Sequence, residues 1–108
     1  MILETKEVDK FLVAKITLQE ANLDNAEKFK QEMFAIIDKG HRHIAVSFEQ
    51  VTYVDSSFLG AMVSSLKYAL SKGCEIFLID LHKDIYSMLH LIRMDKVFKI
   101  YRSLEDIV

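Results

Sequence analysis

The chain has 108 residues, a formal net charge of −2, and 51% hydrophobic and 28% charged residues. That is enough apolar material for one domain over residues 1–108 with its own core. The interspersed, near-neutral charge excludes the basic stripe of a nucleic-acid binder, and no apolar run approaches the ~20 residues of a membrane span.

Cys74 is the one cysteine, so no intramolecular disulfide can form and a reducing compartment is expected. Met1-Ile-Leu-Glu-Thr-Lys6 meets charges too early to hold the apolar core of a signal peptide. A cytoplasmic protein is expected, and Met1 with the compact ends points to a complete chain. With no proline and three glycines, flexible linkers and internal repeats are absent.

In chain order, residues 2–7 read as a short strand and Asp9-Lys10 as a turn. Residues 11–18 are rich in β-formers and make a second strand, close enough to the first for a hairpin. Residues 19–24 read as a polar loop. Asp24 or Asn25 then caps a helix over 25–39, with Ala26, Phe29, Met33 and Ile37 on one face and Gly40 as its stop. His43 to Phe48 is the next strand, and Glu49-Gln50 a turn. Leu59, Met62, Val63, Leu66 and Leu70 mark a helix over 57–72, stopped by Gly73. Residues 74–79 are nearly all apolar, as in a strand buried on both faces. Ile85, Met88, Leu89 and Ile92 give a helix over 83–93. Residues 97–101 give a last strand, and Ser103 caps a short helix over 103–108.

The order β-β-α-β-α-β-α-β-α predicts an α/β fold: a small sandwich with about five strands, mostly parallel, and four helices. Sites in such sheets lie beyond the carboxyl ends of the strands. That is where Val51-Thr-Tyr-Val-Asp-Ser-Ser-Phe-Leu-Gly60 falls. A helix start offers free amides and the positive end of the dipole, both of which favour an anion. Asp55, Ser56 and Ser57 therefore carry two readings: a helix cap, or a phosphorylatable switch. Gly60 permits close approach to the first turn.

The segment from Val51 to Met62 resembles the signature of STAS domains, the anti-sigma-factor antagonist family, which reads hydrophobic-Asp-Ser-Ser/Thr-Gly-Leu-Gly entering a helix. The likeness continues at residues 25–30, 43–51 and 89–100. The resemblance implies a single STAS domain over 1–108 that binds protein partners. In the family, the serine after the aspartate is phosphorylated by an anti-sigma factor with serine kinase activity, and a PP2C-type phosphatase restores it. The unphosphorylated antagonist binds the anti-sigma factor and frees the sigma factor. By position Ser56 is then the phosphoacceptor, and Ser57 its neighbour and the helix cap. Two departures stand out. Phe58 replaces the usual glycine and is expected on the partner surface. Asn22 stands where the family often has an acid near the serine, with Asp24 as a nearby substitute.

No metal, cofactor or enzyme site is expected. His41, His43, His82 and His90 match no metal-ligand spacing. Cys74 reads as a small buried hydrophobe, and Met33, Met62, Met88 and Met94 as core fillers. Phe58 and Tyr68 are the aromatic interface candidates on helix 57–72. The alternative function is a constitutive STAS-type interaction subunit of a transporter or signalling scaffold, in which the serines only cap.

Overall fold

The computed structural model describes residues 1–107. The chain folds into a mixed five-stranded sheet, with three α-helices against one face. Strand β1 (Leu3–Val8) pairs antiparallel with β2 (Phe11–Ile16). Their two-residue turn places Asp9 at φ 54°, a left-handed conformation that aspartate tolerates better than most residues. From β2 the sheet runs in parallel through β4 (His43–Ser47), β6 (Glu75–Ile79) and β7 (Lys99–Ile100). A separate two-stranded parallel ladder joins β3 (Glu20–Ala21) to β5 (Tyr53–Val54).

Alternation along the strands sorts the two faces. Leu12, Ala14, Ile44, Val46, Ile76 and Leu78 face the helices and join Phe29, Met33, Met62 and Leu89 in the main core. Phe11, Ala45, Phe77 and Ile79 point to the other face, where Leu104 and Ile107 partly cover them. β6 is thus buried on both sides, as its apolar run requires.

Helix α1 (Leu23–Asp38) starts earlier than its pattern suggests, because Asn22 and not Asp24 or Asn25 is the cap: its Oδ1 accepts from the Asp24 amide at 3.0 Å. Helix α2 spans Ser56–Ser71 and α3 Lys83–Leu91. α3 ends before 93 because Arg93 turns left-handed at φ 65°. The fourth expected helix is only a 3-10 turn, Leu104–Asp106, and Val108 lies outside the described residues. Another 3-10 turn, Met94–Lys96, leads into the short β7.

Candidate functional site at the shared start of α1 and α2

The β3–β5 ladder fixes the site. Glu20 pairs with Tyr53 and Ala21 with Val54, and the Asp55 amide donates to the Ala21 carbonyl at 3.0 Å. Each chain leaves this ladder straight into a helix. Asn22-Leu23-Asp24 therefore lies against Asp55-Ser56, although the two segments are more than thirty residues apart in sequence.

Asp55 joins them. It caps α2 from extended backbone (φ −98°, ψ 176°), and its Oδ1 accepts from the Phe58 amide at 2.9 Å. Its Oδ2 accepts from the Leu23 amide, the first of α1, also at 2.9 Å. One carboxylate thus satisfies a donor at each of two helix N-termini, where both dipoles favour its charge. One consequence corrects a sequence expectation, and a second bears on the chemistry of Ser56. Ser57 is not the helix cap, because the carboxylate has that place and Ser57 is inside the helix. No hydrogen bond joins Asp55 to the Ser56 hydroxyl among the described residues, because both carboxylate oxygens are turned to amides.

Ser56 opens α2 and is exposed, and Ser57 is half-buried. Among the described residues neither hydroxyl has a hydrogen-bond partner, and neither residue's backbone amide finds an acceptor. The α2 start thus holds an accessible hydroxyl beside two free amide donors. Gly60 is exposed four residues on, one turn along the same face. Leu23 and Tyr53 flank the site with large exposed apolar surface, at 70% and 52%. Sequence reasoning passed over both. Their adjacency depends on the β3–β5 ladder, whose two-residue strands leave no periodic signal.

Phe58 does not lie on the partner surface. Its side chain is 0% exposed and its ring sits 4.6 Å from that of Phe29, at the seam between α1 and α2. Helical geometry explains this: Ser56 and Gly60 share one face, and Phe58 is turned away with Ala61, Met62 and Leu66. Tyr68 is half-buried, stacked on Phe34 at 4.0 Å, with its hydroxyl on Asp38 Oδ1 at 2.5 Å. That bond, with some burial and the Asp38 charge, raises the Tyr68 pKa. Asn22 is half-buried as a cap and Asp24 exposed on the first turn of α1, so the structure brings both beside the serine segment.

Two substitutions test this geometry. Asp55→Ala should lower stability by about 1–2 kcal/mol, through the lost cap on α2 and the freed Leu23 amide. Asp55→Asn has only one acceptor oxygen for two amides and should fall between alanine and wild type. Equal losses for both variants would mean that only one bond matters. The second is Gly60→Ala. A Cβ there meets nothing within 4 Å, and the helix interior favours alanine. Stability should rise by about 0.5–1 kcal/mol, read as a higher urea midpoint with an unchanged slope.

Other chemistry is sparse. Among the described residues no three His, Cys, Asp or Glu side chains cluster as metal ligands, and no helix is long and apolar enough to cross a membrane. Cys74 is buried; burial first, then the Glu75 carboxylate, pushes its thiol pKa up, away from an activated nucleophile.

Comparison with known proteins agrees with this architecture. A Thermotoga maritima protein provisionally named an anti-sigma factor antagonist is 30% identical over 89 residues, 82% of this chain and 79% of that one. The crystal structure of a Thermotoga maritima protein carrying the same provisional name superposes with a TM-score of 0.84 at 27% identity, over 96% of this chain and 89% of that one. The fold is also that of the phosphorylated form of the Bacillus cell fate determinant SpoIIAA, with a TM-score of 0.71 at 15% identity over 97% and 96% of the two chains. Residues 3–107 match the STAS domain model, and the chain belongs to the STAS domain family.

Proposed function

We propose that this chain is an anti-sigma-factor antagonist whose partner binding is switched by phosphorylation of Ser56. Unphosphorylated, it binds an anti-sigma factor of the serine-kinase type in the cytoplasm, and a sigma factor is released. The kinase partner transfers phosphate to Ser56, and a PP2C-type phosphatase removes it. The observation that carries this reading is the exposed, unpartnered Ser56 hydroxyl at the first position of α2. The names of its relatives support the same output.

The local electrostatics suit a switch without refolding. A phosphate adds about −1.5 to −2 charges. The amides of Ser56 and Ser57 and the α2 dipole favour that charge, while Asp55 opposes it. Asp55 is held by two amides, so the base that takes the Ser56 proton belongs to the kinase. The partner surface comprises Leu23, Asp24, Tyr53, Ser56 and Gly60, with Asn22, Asp55 and Ser57 setting its shape. An anion at its centre repels a partner that had met a neutral hydroxyl flanked by apolar groups.

The test is phosphorylation by a serine kinase of the anti-sigma-factor type, with ATP, mapped by mass spectrometry. Phosphate on Ser56, absent from Ser56→Ala, is the expected result. Phosphate on Ser57 instead would move the acceptor by one residue. No phosphate on either serine, with partner binding unchanged in Ser56→Asp, would leave the constitutive interaction subunit as the better reading.

A further inference from the structure

We infer that the cleft between α3 and β7 binds a small organic anion with a planar apolar body, at a place separate from the Ser56 surface. Beyond Ile79 the chain turns sharply at Asp80, which is left-handed at φ 60° and donates its amide to the Arg102 carbonyl at 3.1 Å. From this pinned point one segment enters α3 and the other leaves β7. The gap between them opens at the carboxyl end of the sheet edge, where parallel sheets hold ligands. Its cavity measures about 530 Å³ and is lined by Leu81, Lys83, Tyr86, Ile100, Tyr101 and Arg102. Clefts that take small molecules span roughly 300–1,000 Å³ and combine apolar walls with a few converging polar groups.

The lining has that composition. Leu81 and Ile100 are half-buried and form the apolar floor. Tyr86 and Tyr101 are 43% and 38% exposed and both border the cleft, the Tyr86 ring stacked on His90 and the Tyr101 ring tilted against Phe77. Lys83 and Arg102 bring two positive charges. Among the described residues, Lys83 and Arg102 make no ion pair, and neither they nor the two phenol hydroxyls make a side-chain hydrogen bond. The nearby carboxylates of Asp84, Glu105 and Asp106 are not in the lining. Arginine takes a phosphate or carboxylate through two parallel N–H bonds, and tyrosine faces take a planar ring. A cation pair beside two phenols therefore selects a molecule that is anionic at one end and flat and apolar at the other. The volume and short β7 fit a small molecule better than an extended chain.

The experiment titrates the ¹⁵N-labelled full chain with phenyl phosphate, inorganic phosphate and benzyl alcohol in parallel, following amide shifts. Phenyl phosphate should give saturable shifts centred on Leu81, Ile100, Tyr101 and Arg102, with a Kd on the order of 1 mM or tighter. Inorganic phosphate and benzyl alcohol should each bind at least tenfold more weakly. Arg102→Gln and Tyr86→Ala, both at exposed positions, should each weaken phenyl phosphate at least tenfold while the spectrum elsewhere stays unchanged. Shifts scattered over other lysines and arginines, or equal affinity for all three probes, would overturn the site. So would affinity unmoved by both variants. Tighter binding of a glutamate-rich hexapeptide at the same amides would overturn the small-molecule assignment in favour of a peptide groove.

Discussion

Phe58→Ala should cost about 3–5 kcal/mol of stability, more than any other single truncation near the site. The ring is fully buried and sits against Phe29 where α1 and α2 meet, so its loss leaves a cavity that helices held at both N-termini by Asp55 cannot close. A domain of this size is stable by only about 5–15 kcal/mol. The melting temperature should therefore fall by about 10–20 °C. Phe58→Leu keeps most of the volume and should cost about 1–2 kcal/mol, which preserves a measurable folded state if the alanine variant unfolds. Urea denaturation of both variants decides the matter. A loss under 1 kcal/mol for alanine, accompanied by lost partner binding, would return Phe58 to the surface. Glycine, the usual family residue here, should be worse than alanine by roughly another 1 kcal/mol, the helix penalty of that residue. This chain has thus turned a permissive position into a core anchor without altering the exposed face of the first turn.

The same residue shows what sequence reading captures. The large apolar residues alone put the α2 face on Leu59, Met62, Val63, Leu66 and Leu70. The buried face is Phe58, Ala61, Met62, Ser65, Leu66 and Ala69, and Leu70 is 63% exposed. Counting only large side chains rotated the face, because Ala61, Ser65 and Ala69 are small where α2 is buried. Ser65 is buried without penalty because its hydroxyl donates to the Ala61 carbonyl at 2.9 Å. For α1 the large residues Phe29, Met33 and Ile37 do form the buried face. Strand order and the parallel sheet were legible from alternation and from the unbroken apolar run of β6. The β3–β5 ladder was not, because two-residue strands carry no period. Asp55's second bond, to Leu23, was hidden for a related reason: it spans 32 residues and depends on that ladder.

The placement of Phe58 also removes an objection to the switch. A large aromatic beside the acceptor serine would obstruct a kinase if it lay on the surface. Buried, it leaves Ser56 and Gly60 open and supports them from beneath. The exposed apolar groups beside the serine come from elsewhere, Leu23 on α1 and Tyr53 on β5. On the proposed switch, partner contact and fold stability therefore fall on different residues.

Ser56→Asp should then separate the two properties. The new carboxylate stands at the first position of α2, where the dipole is worth about 0.3–1 kcal/mol to an anion. Repulsion from Asp55, at a solvent-exposed site, is of similar size and opposite sign. Stability should stay within about 1 kcal/mol of wild type, and amide shifts outside the β3–β5 ladder and the two helix starts should not move. Affinity for the anti-sigma partner should fall at least tenfold, which corresponds to about 1.4 kcal/mol. An unpaired charge buried in a contact patch costs that much or more, because neither partner can rehydrate it fully. Ser56→Ala should bind as wild type and resist the kinase. Calorimetric titration of the three proteins against the partner, with urea unfolding alongside, reads both quantities. Unchanged affinity in Ser56→Asp would place the contact surface away from the α2 start, whereas a loss of affinity matched by a loss of stability would make Ser56 a structural residue and not a switch.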